Sequence, residues 1–292
     1  MTFPAALAEA IAAATGAPFG AAHLATVGGG DIHQACSVSD GARRFFVKLN
    51  TAARLSLLQA EAEALAALAA SGRVRVPQVV CLGVSGDKAY LVLEHLDLRQ
   101  AGDAAALGAQ LAALHRVAQP RFGWARDNWI GSMPQPNGWH DDWIAFWRDQ
   151  RLGYQLRLAA RNGYGGTLQR DGESLLADLD TFFDGYTPAP SLLHGDLWGG
   201  NHGYLADGTP VIFDPASYVG DRECDLAMSE LFGGFAPAFH AAYREAWPLD
   251  PGYAVRRTLY NLYHILNHAN MFGGGYAAQA ARMAAQLVAQ IR

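Results

Sequence analysis

Cysteine is scarce in this chain. Its 292 residues hold three, Cys36, Cys81 and Cys224, far apart and without a C-x-x-C spacing. Neither a disulfide framework nor a zinc site is expected, and a reducing cytoplasm is the compartment implied. Charge is scarce too. Asp, Glu, Lys and Arg make up 17% of the residues against 51% hydrophobic, with a formal net charge of −5. That balance argues against disorder. No basic block is present that would track a phosphate backbone, so no nucleic-acid partner is expected. No run of 18 apolar residues occurs, so no membrane span is expected. The N-terminal MTFPAALAEAIAAATG lacks the basic start and long apolar run of a secretory signal. Internal repeats are missing as well, and nothing fixes an oligomeric state. What remains is a globular chain long enough to bury one large core or two unequal ones.

Residues 4–14 read as a short helix ended near Gly16 and Pro18. LATVGGGDIHQACSVSDGARRFFVKLN then sets three glycines between β-prone segments, and SDGA signals a turn before a strand ending at Lys48. The spacing of Leu55, Leu58, Leu65 and Leu68 predicts a helix over 51–70 with one buried face. VPQVVCLGV and KAYLVLEHL predict two strands joined through Gly86–Asp87. After Glu94 the character changes. Helices are predicted over 103–117, 141–161, 168–184, 222–232, 236–247, 254–270 and 276–291, with short β segments only at SLLH, HGYL and PVIFD. The prediction is an α+β chain of two lobes, a small strand-rich one over 1–96 and a larger helical one over 97–292.

The chemistry concentrates in LLHGDLWGGN, residues 192–201, and VIFDPA, residues 211–216. Phosphoryl transfer asks the protein for a carboxylate to accept the hydroxyl proton, ligands for a charge-neutralising metal, and rigid positioning. Asp196 and Asn201 have the spacing of a kinase catalytic loop, with His194 where that loop begins. A strand–turn–strand then delivers Asp214 at the end of an apolar run, where a metal-binding Asp belongs. Asp is common in turns, and either carboxylate alone would read as a turn residue. The full set H-G-D-x-x-x-x-N followed by three apolar residues and Asp is far more specific. Upstream, FFVKL supplies Lys48 as a phosphate-holding lysine. The helix after it supplies Glu61 as its partner, beside the buried face formed by Leu57, Leu58 and Leu65, with Glu63 the second choice. Gly28, Gly29 and Gly30 lie where a nucleotide-covering loop belongs, since glycines let backbone N–H groups approach phosphates. YLVLEHL has the position of an inter-lobe hinge, with the backbone of Glu94, His95 and Leu96 meeting adenine. The 1–96 lobe is thus expected to bind nucleotide and the 97–292 lobe to carry catalysis and substrate.

HGDLWGGN, VIFDPASYVGDRECDLAMSELFGGF and LNHANMFGGGY resemble the fructosamine (ketosamine) kinase family, itself related to aminoglycoside phosphotransferases and to the two-lobed protein-kinase-like fold. The resemblance runs from VGGGDI to the LNH segment. It implies ATP-dependent phosphorylation of the 3-hydroxyl of a ketoamine, the adduct of a sugar with an amine, as a deglycation or protein-repair reaction. By motif, Asp196 maps to the catalytic base, Asn201 and Asp214 to magnesium ligands and Lys48 to the phosphate lysine. The acceptor implied is a small-molecule ketoamine or a glycated protein lysine, with ribulosamines favoured over fructosamines. Asp31 departs from the family, where a cysteine or small residue is common. That puts redox control at this position in doubt, although Cys36 is near in sequence. The generic H-G-D-x-x-x-x-N fits a kinase of aminoglycosides or amino alcohols equally. A nucleotide-binding pseudokinase scaffold is the reading from another class, and the intact set of Lys48, Asp196, Asn201 and Asp214 stands against it.

Five of the seven tryptophans fall between Trp124 and Trp147, interleaved with Asn128, Gln135, Asn137 and Asp142. Aromatic platforms with placed amides suit sugars, but Trp143 and Trp147, four apart on a predicted helix, read as core, and the amides could equally tighten a loop. Trp198, two residues after the base, is the better substrate candidate. His268, which the resemblance places near substrate, is the second. Asp225, near the start of a helix, reads as a structural tether for the catalytic loop through backbone N–H groups.

Overall fold

The computed structural model describes residues 2–20, 23–26 and 34–291. By backbone contacts the chain divides into two units. One comprises Met1–Asp103 with His202–Pro215, the other Ala104–Asn201 with Ala216–Arg292.

The first unit is built on an antiparallel five-stranded sheet in the order β1-β2-β3-β5-β4. Its strands are β1 (His23–Thr26), β2 (Gln34–Ser39), β3 (Arg44–Thr51), β4 (Val79–Ser85) and β5 (Lys88–Glu94). Alternation sorts their side chains onto two faces. Val47 and Leu49 of β3, Cys36 and Val38 of β2, and Tyr90 and Val92 of β5 form one core with Leu7 and Ile11 of helix α1 (Phe3–Thr15). Lys48, between Val47 and Leu49, is thereby turned to the other face. There helix α2 (Leu55–Ala70) buries Leu57, Leu58, Ala64, Leu65 and Leu68. The leucine spacing placed this stripe correctly, except that Leu57 and not Leu55 is its first fully buried member.

Residues 202–215 belong with this sheet and not with the helical part that the sequence assigned them to. The hairpin of His202–Tyr204 and Pro210–Ile212 is bound to the N-terminal segment by backbone hydrogen bonds. Arg99 and Tyr204 exchange two, at 2.8 and 3.0 Å, and the Ile212 N–H donates to the Arg75 carbonyl at 3.0 Å. Pairings between strands this distant in sequence leave no periodic signal.

The second unit is helical. Its helices are α3 (Ala104–His115), α4 (Trp143–Phe146), α5 (Gly153–Arg161), α6 (Thr167–Ala177), α7 (Glu223–Leu231), α8 (Pro237–Ala246), α9 (Tyr253–Phe272) and α10 (Gly275–Ile291). From Leu259 to Asn267, α9 is buried at every position, the mark of a central helix. The core around it takes Trp143, Phe146, Trp147, Leu156, Ala280, Ala284 and Leu287. The predicted 141–161 helix is continuous in path, but Trp147–Leu152 is wound as a π-helix. The predicted 168–184 helix breaks at Asp178 into α6 and a short 3-10 turn, Leu179–Phe183. Two strand pairs were not predicted in full. Asn128–Ile130 pairs with Met133–Gln135, and Pro190–Leu192 pairs with Val219–Asp221.

The acidic and basic residues of GDRECD are structural. Asp221 accepts hydrogen bonds from the Tyr186 and Tyr260 hydroxyls at 3.0 and 2.6 Å. Glu223 pairs with buried Arg256 at 2.7 Å, and the Arg222 guanidinium lies 4.1 Å from the centre of the Trp247 ring.

Candidate active site

In the sheet unit, Lys48 is buried and its Nζ lies 2.7 Å from Glu61 Oε1 and 2.5 Å from Asp214 Oδ1. Burial alone would lower the ammonium's pKa, but the two carboxylates outweigh it and hold Lys48 protonated, above the usual lysine range. Burial likewise raises the Glu61 carboxyl, with the Lys48 charge pulling the other way. The choice of Glu61 over Glu63 follows the helix geometry. Glu61 is one turn from Leu57, Leu58 and Leu65 and shares their face, whereas Glu63 takes a hydrogen bond from Gln59 at 3.3 Å. Asp214 follows the Pro210–Ile212 strand and has φ of 57°. Among the described residues it is the one non-glycine with positive φ. Asp tolerates the left-handed region better than most residues.

The other sequence candidates in this unit are placed less tellingly. Glu94 takes the Arg75 guanidinium on both carboxylate oxygens, at 2.5 and 2.6 Å, and its backbone N–H donates to the Gln78 carbonyl at 2.8 Å. His95 and Leu96 are half-buried just beyond β5. Gly28, Gly29, Gly30 and Asp31 lie outside the described residues.

In the helical unit, the segment from Leu193 to Asn201 is pinned at every stage. Asp225, buried at the third position of α7, accepts from the backbone N–H of His194 at 2.7 Å on one oxygen and of Gly195 at 2.8 Å on the other. His115 Nε2 also lies 3.1 Å from it, and His115 Nδ1 lies 2.9 Å from the Tyr243 hydroxyl. Burial would raise the Asp225 carboxyl, but the hydrogen bonds and charges around it prevail and hold it below the usual carboxylate range. The loop carbonyl of His194 accepts from Ala216 N–H at 2.9 Å. Gly195 makes that approach possible. Its φ is 84°, and a Cβ there would stand 2.2 Å from the Ala216 oxygen.

The end of the loop closes on itself. The Asn201 side-chain NH₂ donates to the Asp196 carbonyl at 2.9 Å and to its carboxylate at 3.2 Å. Asp196 is half-buried, Leu197 is fully buried beneath it, and Trp198 stays exposed. Geometry therefore joins Asp196 to Asn201 and, separately, Lys48 to Glu61 and Asp214. His268, on α9, is half-buried with its Nδ1 2.8 Å from the His264 carbonyl.

The sequence reading missed a buried amide network behind the loop. Asn128 donates to the Ser217 carbonyl at 2.8 Å, and Gln135 donates to the Ala216 carbonyl at 3.1 Å and to Asn128 at 2.8 Å. Asn137 donates to Asn128 at 2.7 Å, and Tyr263 donates to Gln135 at 2.8 Å. Arg151 of the π-helical turn, fully buried, donates to Asn137 at 2.7 Å and stacks 3.9 Å from the centre of the Tyr218 ring. The amides considered for sugar contact are thus spent on fixing Ala216–Ser217. Trp143 and Trp147 are core, as their spacing predicted.

The fructosamine kinase family profile matches residues 4–290. The chain belongs to the fructosamine kinase family. A probable ketoamine kinase of Synechocystis sp. is 46% identical over 283 residues, 96% of this chain and 95% of the relative. The chloroplastic protein-ribulosamine 3-kinase of Arabidopsis thaliana is 40% identical, over 88% of this chain and 80% of the relative. A crystal structure from Haemophilus somnus, assigned as a fructosamine-3-kinase, superposes with a TM-score of 0.88 at 30% identity, covering 96% of each chain. The aminoglycoside phosphotransferase APH(4)-Ia, solved with AMP-PNP and hygromycin B, has a TM-score of 0.63 at 16% identity over 97% of this chain and 98% of its own. At that identity the likeness bears on the fold alone. The fold is protein-kinase-like, a strand-rich N-terminal sheet followed by a helical C-terminal part.

Proposed function

We propose that this kinase transfers the γ-phosphoryl group of ATP to the 3-hydroxyl of a ketoamine, with ribulosamines the preferred acceptors. The observation that carries the reading is the closed pair of Asp196 and Asn201 on a loop that Asp225 grips by two backbone N–H groups. A base held this way is pre-aligned for a hydroxyl proton. Asp196 accepts the proton of the 3-hydroxyl as that oxygen bonds to phosphorus and the ADP oxygen leaves. Lys48, kept cationic between two carboxylates, holds phosphate oxygens. Trp198 and His268 are assigned to the acceptor, and the backbone of Glu94, His95 and Leu96 and the glycines 28–30 to the nucleotide.

Asp214 and Asn201 offer hard oxygen donors. Among the described residues no group of three or more His, Cys, Asp or Glu gathers into a protein-only metal cage. That donor set fits magnesium, which is held by one or two carboxylates and completes its shell with water and phosphate oxygens. Held by Asp214 and Asn201, it would neutralise phosphate charge during transfer. No described helix is long and apolar enough to cross a membrane, and all three cysteines are free thiols, which suits a cytoplasmic enzyme acting on free ketoamines or on glycated lysines of proteins.

The test is ADP release with matched concentrations of a ribulosamine, a fructosamine, kanamycin and choline. Turnover with the ketoamines and little with the others is expected, because a site built to bond their hydroxyls and amine leaves its own polar groups unpaired with other acceptors. A preference for kanamycin or choline would overturn the acceptor while leaving the phosphoryl chemistry standing.

A further inference from the structure

Phe232 and Phe272 remain 42% and 55% exposed, and Trp198 40% exposed, all in the helical unit. The two phenylalanines meet on one histidine. The His268 ring lies 5.1 Å from Phe232, 5.7 Å from Phe272 and 5.1 Å from Tyr276, centroid to centroid. A carbonyl can only accept, so the contact of His268 Nδ1 with the His264 oxygen at 2.8 Å puts the ring proton on Nδ1. Burial lowers the His268 pKa and keeps the ring neutral near pH 7, which makes Nε2 a hydrogen-bond acceptor.

This cluster is continuous with the loop of the base. Phe232 is followed by Gly233 and Gly234, and their backbone abuts Gly199. A Cβ on Gly199 would stand 2.7 Å from the Gly233 oxygen and 2.9 Å from Gly234 Cα. Trp198 immediately precedes that contact, and Asp196 stands two residues before Trp198. In a ketoamine four bonds separate the amine nitrogen from the 3-oxygen, a reach of about 5 Å. A 3-hydroxyl delivered to Asp196 therefore brings the nitrogen close behind it, and the nitrogen's substituent must run on over the neighbouring surface.

We propose that Phe232, Phe272, Tyr276 and His268 form the subsite for the amine side of the acceptor, selecting ketoamines whose nitrogen bears an apolar alkyl or arylalkyl substituent. The proposal rests on the ketoamine reading of the active site. A ketoamine nitrogen is a secondary amine, protonated at neutral pH. Ring faces attract such a cation, the neutral His268 accepts from its N–H, and the substituent covers ring surface otherwise left in water. The sugar is common to all ribulosamines and the amine is what differs among them, so discrimination between glycated amines is set at this cluster.

The experiment compares kcat/KM for the ribulosamines of methylamine, butylamine and benzylamine. Wild-type enzyme is expected to rise about tenfold from methyl to benzyl, the scale of one good aromatic contact. Phe232→Ala and Phe272→Ala, each tested singly because both rings are largely exposed, should flatten that ratio toward one, with the change in KM. A flat wild-type series, or an undiminished ratio in both variants, would overturn the subsite while leaving ketoamine phosphorylation intact. Absence of ADP release with all three adducts would overturn the ketoamine reading and the subsite together.

Discussion

Replacing Asp225 by Asn tests the loop tether with almost no change in volume. The carboxylate gives one oxygen to the His194 N–H, at 2.7 Å, and the other to the Gly195 N–H, at 2.8 Å. An asparagine has one oxygen and one NH₂. Whichever way it is flipped, the NH₂ faces a backbone N–H, and one buried donor is left without an acceptor. His115 cannot repair this, since a change of its tautomer rescues only its own contact. An unsatisfied buried donor costs about 1–3 kcal/mol, and a lost charge-assisted hydrogen bond adds to that. The expected destabilisation is about 2–4 kcal/mol, on the order of 3–7 °C in melting temperature for a chain of this size. The freed loop carries Asp196, and misplacing a reacting group by about 1 Å can cost about 10²-fold in rate. Nucleotide affinity should change little, because the Lys48, Glu61 and Asp214 cluster does not involve Asp225. Thermal melts, kcat with a ribulosamine, and ATP affinity by titration calorimetry measure the three separately. Asp225→Asn with wild-type melting temperature and wild-type kcat would refute the tether.

Asp196→Asn should fold and bind ATP while kcat falls by roughly 10²–10⁴, the usual cost of removing a general base; wild-type turnover would remove Asp196 from the mechanism. Asp214→Ala should leave little turnover at any magnesium concentration, and full activity of the wild type in EDTA would sink the metal assignment. His264 is buried and its pKa is pushed down to about 3 by burial. The unfolded chain takes up a proton there below pH 6.5 and the folded chain does not, so stability should fall from pH 6.5 toward 3 by up to about 1.4 kcal/mol per unit. His264→Gln should show a shallower acid loss in urea melts, and an unchanged slope would contradict the assignment.

What could be read from the sequence was whatever is local. The loop from His194 to Asn201 carries its spacing in eight residues. Lys48 and Glu61 follow from the alternation of one strand and the apolar stripe of one helix. Asp225 was readable as a tether because a carboxylate in the first turn of a helix is near backbone donors. The hairpin at Asn128–Gln135 was not, because three-residue strands containing Trp, Pro and Met show no alternation. Arg151 was invisible for a different reason. A cation is expected to face water, and this one is buried by aromatic faces and amide oxygens that come from distant segments. The amide network similarly reads as loop chemistry until the Ala216 and Ser217 carbonyls are seen to need donors.

The assignment of residues 202–215 to the sheet unit bears on biosynthesis. Asp214 follows Lys48 by 166 residues, so a nascent chain that has emerged only as far as Asp103 has one of the two carboxylates that neutralise this lysine. The sheet then waits for the ribosome to deliver about a hundred more residues before the hairpin can bond to Arg75 and Arg99. Translation at about 5–20 residues per second makes that interval roughly 5–20 s. For that time the N-terminal unit is exposed with its cation half-compensated, and a recombinant fragment ending near residue 103 would remain in that condition permanently.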